Sequence, residues 1–127
     1  MKYDEMMKRF KDNGFDLRRK MFIFYGTFPD CTDFVENKEG IWEKHEYHER
    51  ERGYVCYTYA CEDDAVHEIV NHIYLTSKNR VENAALGWKV RDLDIYMKAM
   101  DVFNKGVFKD ISPEVYVNKV VKRTYKP

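Results

Sequence analysis

Histidine, cysteine and carboxylate side chains are the groups in this chain that could ligate a metal or carry catalysis, and their spacing decides which can act together. His67-Glu68-Ile69-Val70-Asn71-His72 comes nearest to a known pattern, the H-E-x-x-H helix of zinc proteases. That site needs two histidines four positions apart, so that both imidazoles leave one helix face. Here the fourth position holds Asn71 and the second histidine comes fifth. At about 100° per residue, the two rings stand roughly 140° apart and cannot share an ion. His45 and His48 are three apart in a stretch that reads as a strand, so they point to opposite faces. The same parity separates Cys56 from Cys61, and no C-x-x-C pair exists, which leaves a structural zinc site without its usual spacing. A Cys and a His brought together through space are beyond what sequence order can test.

Other chemistry finds less support. The six glycines are scattered, with no G-x-x-x-x-G-K and no G-x-G-x-x-G, which excludes the common nucleotide-binding loops. Glu43, Glu46, Glu49 and Glu51 are closely spaced carboxylates without a matching acid, base or metal partner, and such groups ordinarily solvate a surface. Lys119, Lys122, Arg123 and Lys126 could touch phosphates, but a solvated face near a chain end explains them equally well. No catalytic, cofactor-binding or metal-ligating residue is therefore assigned, and no cofactor is expected.

Charge is unevenly distributed behind a formal net charge of zero. Residues 1–27 carry seven Lys and Arg against four Asp and Glu, residues 28–70 four against twelve, and residues 71–127 eleven against six. An acidic middle between basic ends argues against a nucleic-acid binder with one dominant basic face, and it suits a basic protein partner. The competing explanation is a charged sheet edge that discourages aggregation. Three cysteines cannot all pair within one chain, and the first residues lack the apolar core of a signal peptide, so a reducing cytoplasm is expected. The most apolar run, Met21 to Tyr25, is too short to cross a bilayer.

The elements that must position these groups follow from periodicity. At 127 residues the chain has the size of a single domain. Tyr3, Met6, Met7 and Phe10 give a one-faced helix over Lys2 to Lys11, with Gly14 as its stop. Met21 to Gly26 reads as a buried strand, Phe28 to Asp33 as a loop, and Asp33 to Glu36 as a weak strand before a turn over Asn37 to Gly40. Ile41 to Arg50 is a strand with neither face cleanly apolar, which places it at an edge or partly exposed. Its partner, Gly53 to Cys61, is apolar enough on both sides to be central. Val66, Ile69, Val70, Ile73 and Tyr74 make the clearest helical stripe, in a helix over Glu62 to Thr76 led by three carboxylates. A separate short helix is expected over Lys78 to Leu86 with Gly87 as its stop, another over Asp92 to Asn104, and a last one from Pro113 to Arg123. The fold class is α+β: an antiparallel sheet of about three to five strands with helices on one face and a helix-rich C-terminal half.

Glu51-Arg52-Gly53 after a charged strand, the tyrosine-rich strand Tyr54 to Ala60, the helix Asp63 to Tyr74 with Glu68 and Ile69, the small-residue segment Asn83-Ala84-Ala85 and the helix Asp92 to Phe103 follow one another in order. This succession resembles the small immunity proteins of bacterial polymorphic-toxin systems. The resemblance implies a cytoplasmic, non-enzymatic protein that binds a cognate toxin domain, often a nuclease, and blocks it; the expected assembly, independent of the resemblance, is a monomer or a homodimer. It transfers no site residue. From residue type alone, the expected partner-binding set is Trp42, Glu43, Glu46, Tyr47, Glu49 and Glu51, aromatic anchors ringed by charge. The alternatives are a small regulatory or structural protein of a mobile element, or an enzyme with a through-space Cys/His pair.

Overall fold

The computed structural model describes residues 1–17, 31–47, 52–111 and 120–127. These form, in order, α1 (Tyr3–Asp12), β1 (Cys31–Glu36), β2 (Trp42–Tyr47), β3 (Tyr54–Tyr59), α2 (Glu62–Ala85), α3 (Leu93–Asn104) and β4 (Val120–Lys126). The strands make one antiparallel sheet in the order β1-β2-β3-β4, with helices over one face. The class is α+β, as periodicity indicates.

Apolar spacing explains the helices. On α1, Met6 and Phe10 point into the core, while acidic residues open the helix and basic ones close it, matching its dipole. Val66, Ile69, Val70 and Ile73 of α2 are fully buried, and Tyr96, Ala99 and Val102 of α3 pack behind them. Aromatic rings close one end of this core. Phe108 lies 4.7 Å from Phe10 and 5.5 Å from Phe103, and Tyr74 meets Phe103 edge-on at 5.1 Å. Arg9 ties the same end together, bonding Asp110 through both guanidinium nitrogens at 2.8 and 3.1 Å.

Turn chemistry sets the register of β1 against β2. Asn37 Oδ1 accepts hydrogen bonds from the backbone N–H groups of Glu39 (2.9 Å) and Ile41 (3.0 Å), and Gly40 supplies the positive φ of 79° that the turn requires. Pairing then sets Lys44 opposite both Phe34 and Tyr57, so these side chains share the face under the helices.

Of the two placements expected for the charged strand, the partly exposed one holds: β2 pairs with β1 on one side and β3 on the other, and four of its six residues keep part of their surface in solvent. Three expectations are corrected. The loop expected over Phe28 to Asp33 gives way at Cys31, where β1 begins. The short helix over Lys78 to Leu86 is the continuation of α2, since Thr76-Ser77 does not break the helix and Ser77 is itself buried. The helix expected to run to Arg123 is overturned over Val120–Arg123, where the chain is strand β4; Val120 and Val121 favour that conformation and β3 offers an open edge to pair with. The strand expected over Met21 to Gly26 lies outside the described residues.

One close approach seats β4. A methyl group at Gly53 would fall on the carbonyl oxygen of Lys126, so only glycine lets the backbone before β3 pass the end of β4. Gly53→Ala is expected to displace the end of β4 and lower stability by about 1–3 kcal/mol, read as a drop in thermal midpoint. An unchanged midpoint would show that β4 does not need this contact.

Candidate binding site

The sheet's alternation divides the residues that sequence alone grouped as a contact surface. Trp42 and Glu46 face the helices, whereas Glu43 and Tyr47 face the other way. Trp42 is 8% exposed and packs against Tyr3 of α1 at 5.2 Å. Glu46 lies 3.5 Å from Lys44 and accepts a 3.1 Å hydrogen bond from the Tyr57 hydroxyl. Tyr47 packs against Tyr54 at 5.2 Å on the outer face. Glu49 and Glu51 lie outside the described residues. The four that are described do not share one surface.

Beneath α2, the inner face holds a polar cleft of about 210 Å³ lined by Lys44, Glu46, Glu68, Asn71 and His72 together with Phe34. Lys44 is 7% exposed, with its ammonium 4.0 Å from Glu68 and 4.5 Å above the Tyr57 ring. Arg123 of β4 donates to the Tyr57 hydroxyl at 3.4 Å, extending the network to the sheet edge. Asn71 is 1% exposed, and neither atom of its amide has a hydrogen-bond partner among the described residues. Burial, and secondarily the Lys44 charge, lowers the His72 pKa to about 4, so this imidazole is neutral at pH 7 and too weak a base to drive proton transfer there.

On the outer face, β-register brings Cys56 of β3 directly opposite His45 of β2. His45 Nε2 donates to Glu43 Oε1 at 2.9 Å, and Asn37 Nδ2 donates to Glu43 Oε2 at 3.2 Å. Burial works against ionisation of Glu43, but bonds from His45, Asn37 and Cys56 outweigh it and hold the carboxyl below its usual range. The Cys56 thiol is pushed up by burial first and by the Glu43 charge second. A nucleophilic cysteine requires an accessible thiolate. Cys56 is 1% exposed, and the imidazole beside it is engaged by Glu43 instead of serving as its base.

The exposed aromatic anchor lies elsewhere. Trp88 is 70% exposed and Leu86 77% exposed, in the connection between α2 and α3. Gly87, at φ 90°, ends α2 with paired bonds: its N–H reaches the Ala84 carbonyl at 3.0 Å and the Trp88 N–H reaches the Asn83 carbonyl at 3.0 Å. Such caps usually bury the residue after the glycine against an apolar residue in the last turn. Here that turn offers Asn83, so the Trp88 backbone is pinned while its indole faces water. Sequence reading found Gly87 as a stop but passed over Trp88; the polar residue five positions before it was the available signal.

His72 generates a pH signature. Its folded pKa lies below its unfolded value, so the unfolded chain binds more protons between about pH 4 and 6.5, and stability falls as pH drops through that window. The full effect is on the order of 3 kcal/mol. Chemical denaturation across pH should show this loss, and His72→Gln should flatten it; an equally steep fall in the variant would assign the effect to the carboxylates.

Compared with protein-family models, with curated proteins and with solved structures, the chain matches none.

Proposed function

We propose that this chain is a binding protein rather than a catalyst, and that it neutralises a cognate toxin domain by stoichiometric contact in the cytoplasm. The partner class comes from the resemblance to immunity proteins. The observation that supports a binding role is Trp88, an indole standing in solvent on a hydrogen-bonded backbone, next in sequence to Lys89 and close to Leu86 and Arg91. Solitary exposed apolar residues are ordinary, but an exposed tryptophan on a fixed backbone with arginine nearby has the composition of an interface hot spot. Because the backbone is already ordered by the α2 cap, docking loses little further conformational entropy there. No described helix is long and apolar enough to cross a membrane, which is compatible with this role.

The acidic strand contributes less than its composition promises. Glu43 is held by His45 and Asn37, and Glu46 by Lys44 and Tyr57, so reversing these charges would disturb the fold as well as any contact. Trp88 offers a cleaner test, since truncating an exposed indole leaves the core intact.

Burying the rest of the indole is worth on the order of 2–4 kcal/mol, or roughly 30- to 1000-fold in Kd. Co-expression with the toxic C-terminal domain encoded beside this gene should restore growth, and Trp88→Ala should weaken complex formation by that factor without changing the thermal midpoint. Death of cells that hold both proteins in soluble form would reject the inhibitor reading. Full rescue with undiminished affinity in Trp88→Ala would keep the inhibitor and reject Trp88 as its anchor.

A further inference from the structure

The outer face of the sheet carries a second arrangement, independent of the partner surface. Glu43 and His45 are alternate residues of β2 and so project from the same face, and Cys56 stands directly across from His45 on β3. One oxygen, one nitrogen and one sulfur from these three side chains all lie within 4.8 Å of one another. Two ligands on alternate positions of one strand and a third on its neighbour present three corners of a tetrahedron from a backbone already fixed by ladder hydrogen bonds.

We propose that Glu43, His45 and Cys56 form a zinc-binding site with its fourth position open to water or an outside ligand. Donor chemistry selects the ion. Thiolate with imidazole suits a borderline-soft cation such as zinc, whereas calcium and magnesium require oxygen ligands throughout. Bonds of about 2.0–2.3 Å around a tetrahedral ion set donors roughly 3.4–3.6 Å apart. The Glu43–His45 pair is already closer than this, at 2.9 Å, and the widest separation must shorten by about 1 Å, the scale of a side-chain rotation.

Charge balance favours the same ion. Binding releases the Cys56 thiol proton and replaces the His45 Nε2–H···Glu43 bond: the imidazole gives up its Nε2 proton to water and takes one at Nδ1, so that neutral His45 ligates through Nε2. Carboxylate and thiolate then cancel the two positive charges, so a sheltered site ends neutral. Glu43 and His45 keep part of their surface in solvent, which gives the ion a way in. Support from surrounding groups is already present: Asn37 Nδ2 holds Glu43 Oε2, and the Tyr54 ring packs on His45 at 4.5 Å. Parity within one strand removed zinc from the sequence reading; register across two strands restores a ligand set that parity cannot see.

The test uses the full chain carrying Cys31→Ser and Cys61→Ser, so that Cys56 is the one remaining thiol, and cobalt(II) as the spectroscopic surrogate for zinc. One cobalt per chain should give a thiolate-to-metal charge-transfer band and visible absorption of tetrahedral intensity, both abolished by added zinc. Cys56→Ser should remove the charge-transfer band, and His45→Gln should weaken binding by more than tenfold. Asn37→Asp keeps the oxygen that caps the β1–β2 turn but loses the donor to Glu43; it should cost about 10- to 100-fold in affinity while preserving the band, and it carries the test if Cys56→Ser fails to fold. Absence of the charge-transfer band at saturating cobalt, or equal affinity in His45→Gln and the parent, would overturn the proposal and leave a hydrogen-bonded cluster only.

Discussion

The buried ammonium of Lys44 constrains everything around it. Moving such an ion out of water costs several kcal/mol, and the structure offsets this with Glu68 from α2, Glu46 from its own strand and the face of the Tyr57 ring from β3. Three elements are thus held by one charge. A slip of β2 by one residue would strand Glu68 beneath α2 without its cation and carry Lys44 to the opposite face. Apolar contacts alone would specify that register less sharply, because Trp42 is the one large apolar side chain that β2 gives to the core. With the register fixed, Trp42 meets Tyr3, and Glu43 and His45 are delivered to the far side opposite Cys56.

This constraint also explains which parts of the fold were legible in the sequence. The α1 and α2 stripes were plain because apolar residues at helical spacing have one low-energy use, and β3 read as central because both of its faces are apolar or aromatic. β2 did not, since a strand of alternating charge looks solvated unless its counter-charges are known. Glu68, one of those partners, sits on a helix more than twenty residues away. β4 was obscured for a different reason. A valine pair followed by Lys and Arg fits a helix end or an edge strand, and the open edge of β3 decided between them.

Site residues were legible only where a local rule sufficed. Strand parity correctly set Trp42 apart from Glu43, but parity cannot say which face is buried, so Trp42 was grouped with solvent-facing residues. The Glu43, His45 and Cys56 set depends on pairing between strands, and no spacing within one strand encodes it. Trp88 depends on the interior of a helix cap: the same Gly87 would have covered the indole had position 83 been leucine instead of asparagine.

The length of α2 connects these observations. At 24 residues it spans about 36 Å, yet its buried positions end at Ser77, and none from 78 to 85 is buried. A helix needed only to cover the sheet could have stopped two turns earlier. The extension is supported by α3, whose partly buried Ile95 joins Val81 and Val90 against the core. Support of this kind leaves Leu86 and Trp88 at the tip of a braced helix pair, beyond the residues that set stability. Substitutions at the tip therefore leave Lys44 and the core beneath it undisturbed, because sites that share no packing partners act independently.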